Sequence, residues 1–247
     1  MINKIIINAD DYGLTQGIST GILLGHSQGV ISSTTVMMNA KDVESWLTVA
    51  LNYPKLGLGV HLAGTIGKPI TNCPSLVDEK GNFLGEARWK EPDFVDLDEL
   101  YQEWKAQIEK FMAITKQKPT HLDSHHHIHT IPKIQPIALR LAKEYDLPMR
   151  QSEYLIKDYE SVIVDTNCYK DNATISYIKE LCEKKTGIIE LMCHPALLDQ
   201  QLYTTSSYNI DRINELALYQ SDEIKQYLTD NNIQIINYSD IKKGTTK

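Results

Sequence analysis

The chain has 247 residues, 42% of them hydrophobic and 23% charged, and its formal net charge is −7. A chain of this length buries roughly three-quarters of its unfolded surface, so a core alone can hold it folded without disulfide or metal staples. The acidic balance argues against nonspecific binding to nucleic acid or to an anionic membrane surface.

Short β-rich runs alternate with longer segments of helical period. Ile5 to Ala9 reads as an apolar strand, followed by a helix from Ile18 to Gly29. Ser32 to Met38 is β-branched and predicts a second strand, and Asp42 to Asn52 predicts a helix with Asp42 as its N-cap. Leu56 to Leu62 is a third strand. Leu100, Trp104, Ile108 and Phe111 recur at helical spacing and mark one buried face. Thr120 to Ser124 predicts a further strand, Ile134 to Tyr145 a helix entered near Pro132, and Leu147 to Gln151 a short strand. Tyr177 to Glu183 reads as a helix and Gly187 to Cys193 as a strongly apolar strand. Ile213 to Tyr219 and Glu223 to Leu228 read as helices, and Ile233 to Tyr238 as the last strand.

Such alternation means parallel strands joined by crossover helices. With seven or so units, an α/β fold of the (β/α) barrel kind is favoured over an open sheet, as one domain over residues 1–247. Two stretches break the rhythm. Residues 63–92 are rich in proline and glycine and lack a period; residues 154–169 are a second irregular insertion. Both are expected as loops near the site, since long loops in a compact domain are often functional. Cys73, Cys168, Cys182 and Cys193 form no C-x-x-C pair and suit a reducing compartment. No apolar stretch approaches the 18 residues of a membrane span, and the N-terminal apolar run is too short for a signal peptide, so a cytoplasmic protein is expected.

The unusual polar residues fall at the predicted strand ends. Asp10 and Asp11 follow the first strand, His61 ends the third, and Asp123, His125, His126, His127 and His129 follow the fourth. Arg150 lies near the end of the next strand and is assigned to substrate binding; His194 follows Gly187 to Cys193. In a barrel these C-terminal ends converge on one face, where active sites lie. Taken singly, each has an ordinary reading: Asp10-Asp11 as a helix N-cap pair, His61 as a structural histidine, His125 to His127 as a solvated turn, His194-Pro195 as a turn. Together they suggest a pocket. One carboxylate plus two neutral imidazoles is a common ligand set for a catalytic divalent metal, which can bring the pKa of bound water to about 7. Of two adjacent aspartates, one can ligate while the other takes the water's proton. In an extended segment Asp123, His125 and His127 share a face; in a helical turn His125 and His129 do. His125 can point inward either way.

Asn8-Ala9-Asp10-Asp11-Tyr12-Gly13, Ser33-Thr34-Thr35, Gly59-Val60-His61-Leu62, the run from Lys118 to His129, and Met192-Cys193-His194-Pro195 resemble the YdjC family of carbohydrate deacetylases, and most of all its chitooligosaccharide branch. Tyr12 stands where that family usually has Phe. The resemblance implies a distorted TIM-like barrel, a homodimer, and hydrolysis of N-acetyl groups from an amino-sugar oligosaccharide. It implies metal ligation by Asp11, His61 and His125, with Asp10 as base and His194 as the acid that protonates the leaving amine. Magnesium is the family's metal; two imidazoles favour zinc, so both are kept. The rival readings are a glycoside hydrolase using paired carboxylates and a metal- or sugar-binding regulator without turnover.

Overall fold

The protein is described by a computed structural model covering residues 1–151 and 159–241. The regular elements follow in the order β1 (Ile2–Tyr12), α1 (Gln16–Ser27), β2 (Ser33–Val36), α2 (Val43–Ala50), β3 (Gly57–Leu62), α3 (Leu97–Thr115), β4 (Leu122–Ser124) and α4 (Gln135–Tyr145). Then come β5 (Val162–Asp165), α5 (Ile175–Lys184), β6 (Gly187–Cys193), α6 (Gln200–Thr205), α7 (Ile210–Gln220), α8 (Asp222–Asp230) and β7 (Gln234–Ile235). The described strands β1–β7 pair in parallel, in the order β4-β3-β2-β1-β6-β5, with β7 beside β1. β6 runs along one edge of β1. On the other edge β7 pairs at Lys4 and Ile5, and β2 takes over from Asn8.

The sheet curls. Residues 148–150 extend it beyond β4, with Leu122 donating to Pro148 O and Arg150 donating back to Leu122 O. Met149 there and Val162 and Val164 of β5, at the opposite end of the sheet, line one open cleft. Among the described residues no ladder closes this seam, so the α/β barrel is distorted and open at one side. Parallel strands covered on both faces bury both sets of alternating side chains. Ile5, Ile7 and Ala9 belong to the large core shared with the helices, whereas Ile6 packs with Val162, Ile188, Ile236 and Tyr238. Asn8 and Asp10 continue the face of Ile6. One side of β1 thus passes from an apolar plug to the polar site.

Caps explain several helix starts. Thr15, Asp96, Thr174 and Ser221 each accept a backbone N–H in the first turn of the helix that follows. Asp42 occupies the N-cap position of α2 but makes no such bond, so the expected cap is absent. Other boundaries differ from expectation for physical reasons. The strand expected at Leu147 to Gln151 reduces to one bridge, Leu122 to Met149. β5 lies inside the stretch 154–169, whose irregular sequence predicts a loop; residues 154–158 of it fall outside the described residues. α6 went unpredicted because only Leu202 of its six residues is buried, too few to set a period. The last strand ends at Ile235, before the turn Tyr238–Asp240.

Residues 63–92 form a packed loop with single turns at Pro74–Leu76 and Glu86–Lys90. Buried Glu103 on α3 accepts from Ile70 N at 3.0 Å, Thr71 N at 2.7 Å and Thr71 Oγ1 at 2.6 Å. Gln107 accepts from Ala63 N, and Asn39 donates to Ile66 O. No described helix is long and apolar enough to cross a membrane.

Candidate active site

A regular strand would send Asp10 and Asp11 to opposite faces. The register of β1 against β2 instead slips between Ala9 and Tyr12, and Asp11 takes the left-handed conformation at φ 75°. A bulge of this kind re-aims side chains. Here it buries both carboxylates in one pocket, at 2% and 1% exposure. His61 and Asp123 are register partners on β3 and β4, which puts them side by side. The Asp123 carboxylate lies 2.6 Å from His61 Nδ1, and Thr35 of β2 donates to Asp123 at 3.0 Å. Gly59, two residues before His61, has no room for a side chain: a Cβ would stand 2.5 Å from His121 Cε1.

The segment His125–Thr130 is a tight turn with His126 and His127 both left-handed, at φ 56° and 53°. Neither a continued strand nor a regular helical turn describes it, so the face-sharing patterns expected for these histidines do not apply. The turn aims His125 at Asp11, with Nδ1 3.1 Å from Oδ1. His61 Nε2 lies 3.5 Å from the same oxygen. Asp11, His61 and His125 thus offer one carboxylate oxygen and two ring nitrogens, all within 4.8 Å of one another. With Asp123 holding its Nδ1, a neutral His61 turns the lone pair of Nε2 inward, the orientation that metal-binding histidines adopt. This donor set fits a divalent cation. Without one, burial opposes charge on His61, yet Asp123 and Asp10 raise its pKa to about 10. A proton then does what a cation could do. For Asp11, burial raises the pKa, but Arg212 and His125 hold it well below the ordinary carboxylate range.

Asp10, His61 and Asp123 also come close enough to suggest a second cation site. That space is taken. Arg150 donates to both oxygens of Asp10, at 2.8 and 2.6 Å, and lies 2.9 Å from Asp123 and 2.8 Å from Glu190. Arg150 was expected to bind substrate. The structure places it beneath the floor of the site at 1% exposure, engaged by three carboxylates. Burial raises the Asp10 pKa, and the Arg150 guanidinium outweighs that to leave it lowered. Tyr238 hydrogen-bonds the other oxygen of Glu190.

His194 follows β6 on the same rim, its ring about 20% exposed and its Nε2 4.0 Å from Asp10 Oδ2. Burial and then Arg212 lower its pKa to about 4. His126 meets Thr65 of the 63–92 loop at 3.0 Å, and His129 bonds Ser124 and Arg150 O. These two histidines support the turn. Arg212 of α7, which donates to Asp11 Oδ2 at 2.7 Å, gave no sign in the sequence, since a lone arginine in a helix is ordinary. Asp123 is legible in the sequence as a polar residue at a strand end and as a carboxylate for the glycosidase reading, but not as the partner of His61 Nδ1.

The chain is 34% identical over 247 residues to a carbohydrate deacetylase of Clostridium beijerinckii, covering 96% of this chain and 100% of that one. It is 37% identical over 239 residues to a chitooligosaccharide deacetylase of Yersinia pestis, covering 91% and 94%. A crystal structure from Enterococcus faecalis, provisionally described as a cellobiose-phosphate cleavage protein, superposes with a TM-score of 0.86 at 33% identity, covering 96% and 98%. The sequence model of the family described as YdjC-like protein matches residues 4–230, and the chain belongs to that family.

Proposed function

We propose that this chain is a divalent-metal-dependent hydrolase that removes N-acetyl groups from amino-sugar oligosaccharides in the course of their degradation. The observation that carries the reading is the buried set of Asp11, His61 and His125 with Asp10 and His194 flanking it. The names of the relatives, carbohydrate and chitooligosaccharide deacetylase, supply the substrate class. We read residues 1–247 as one domain acting as a homodimer, with the packed loop 63–92 reaching the histidine turn through Thr65.

Asp11, His61 and His125 would hold the ion, which when bound supplies Lewis acidity toward the acetyl carbonyl and acidifies a water. Asp10 is the base. The Arg150 fork fixes its carboxylate and keeps it ionised, ready to take a proton from the attacking water. His194 is the acid: its lowered pKa leaves the resting ring neutral, so the proton it passes to the departing amine is the one Asp10 takes from the water, and Asp10 Oδ2 lies 4.0 Å from its Nε2. Its ring is partly open to the rim, where a sugar can reach it. Arg150 acts through Asp10, as a positioning residue. A ligand set of two nitrogens and one oxygen suits zinc better than magnesium. Reconstitution of the stripped protein with each ion decides between them.

A glycosidase is disfavoured by a specific observation. Its two carboxylates must flank a sugar bond, at least about 5 Å apart. Asp10 and Asp123 instead face one guanidinium. The test is release of acetate from N-acetylated chitooligosaccharides with the sugar chain left intact. His125→Ala should abolish that release and weaken metal binding while the protein stays folded; shortened sugars, or full activity in the variant, would refute the assignment.

A further inference from the structure

Arg212 and Glu215 stand one turn apart on α7, buried at 5% and 0% exposure. Burying a guanidinium and a carboxylate is costly unless each is well partnered. Both are partnered to the site. Arg212 donates through Nη2 to Asp11 Oδ2 at 2.7 Å and through Nε to Tyr208 O at 2.9 Å. Glu215 accepts the His194 backbone N–H at 2.5 Å with one oxygen and hydrogen-bonds the Tyr208 hydroxyl with the other. The Tyr208 ring stands edge-on to the His194 ring, 5.6 Å between centroids. A backbone bond from Ala196 N to Arg212 O ties the loop after β6 to the same helix.

We propose that α7 is the positioning element of this site, with Arg212 orienting the Asp11 carboxylate and Glu215, together with Tyr208, seating His194. The two oxygens of Asp11 are divided between tasks. Oδ2 is held by Arg212, which leaves Oδ1 facing His61 and His125. For His194 the usual device is missing: its Nδ1 is buried and has no hydrogen-bond partner among the described residues. Its ring is therefore placed by the clamp on its backbone and by the edge of Tyr208. One helix sets both the ligand carboxylate and the acid, which come from different strands.

The inference rests on the deacetylase reading, but its first test does not. Metal-stripped protein is titrated with Zn²⁺ by calorimetry. Arg212→Lys keeps the charge but not the fork, and Arg212→Gln removes the charge; both are made so that one folded variant suffices. Affinity should fall about 10–100-fold, the usual loss when a residue that orients a metal ligand is removed. Affinity within about twofold of wild type overturns the Arg212 assignment. The second test uses Glu215→Gln and Tyr208→Phe, checked for folding by circular dichroism. For an N-acetylated oligosaccharide kcat should drop, by up to the roughly 10²–10⁴-fold that general acid catalysis contributes, with KM and Zn²⁺ affinity held. The loss should be smaller on an aryl acetate, whose phenolate leaves without needing a proton. Equal losses on both substrates, or none, overturn the His194 assignment. A wild-type protein that releases no acetate sinks the deacetylase reading, while calorimetry still judges Arg212.

Discussion

Arg150 shows how one buried cation organises this pocket. Asp10, Asp123 and Glu190 all face it, and its position is fixed further by the His129 ring on its backbone carbonyl. Removing one member of such a set leaves the others buried and unpaired, which costs about 3–5 kcal/mol. Arg150→Met should therefore destabilise the fold by about that amount in urea denaturation; a loss under about 1 kcal/mol would mean the carboxylates find other partners. The sequence showed Arg150 only as a charge near a strand end, and charge at a rim reads as a contact for substrate. Its depth was hidden because the three carboxylates come from β1, β4 and β6, and their convergence on one guanidinium is a tertiary fact. Asp10 and Asp11 were legible as a pair. The division between them was not, since it depends on a bulge and on partners over 100 residues away.

The elements around the site are held by a few buried polar groups. The loop 63–92 is anchored to α3 by Glu103, which accepts four donors from Ile70, Thr71 and Gln107. Glu103→Ala leaves those donors unpaired, and an unmade buried bond costs about 1–3 kcal/mol. Local opening of the loop should rise on the order of tenfold or more. Trypsin cleavage after Lys80 or Arg88 reads this directly; an unchanged cleavage rate would show that packing alone holds the loop. The sequence marked this segment correctly as aperiodic, but aperiodicity does not distinguish a loose insertion from a packed wall. Helices of strong period, such as α3 with Leu100, Trp104, Ile108 and Phe111 on its buried face, were legible from one face alone. β5 was not, because four residues of strand need a neighbour to define them, and β6 is that neighbour.

For the whole molecule, the buried histidines set the response to acid. His121 and His129 are kept neutral by burial, each with a pKa lowered to about 3, and His194 is lowered to about 4. A base depressed in the folded state stabilises above its unfolded value of about 6.5 and loses that contribution as pH falls through 6.5 toward the folded value. Glu215 acts oppositely. Burial raises it to about 7, so its contribution is fully present below about 4.5 and is lost as pH rises through 7. His126, also lowered to about 4 by burial, adds to these three histidines, while His61, raised to about 10, is already protonated in the folded state below 6.5. The depressed histidines outnumber the raised groups, so the metal-free protein should lose stability as pH drops from 6.5 to 4.5, measured by chemical denaturation; constant or rising stability would contradict this. By itself the sequence determined the parallel α/β class and the family, and it marked Asp10, Asp11, His61, His125 and His194 at strand ends as candidate site residues, which the fold brings near one another. Strand–helix alternation and local motifs are properties of contiguous residues, and they survive without knowledge of the fold. The tertiary structure alone decided that Arg150 lies under the floor, that Asp123 orients His61, and that α7 reaches back with Arg212 and Glu215 to set Asp11 and His194. Those pairings join residues that only the curled sheet brings together, and no local pattern encodes a contact across it.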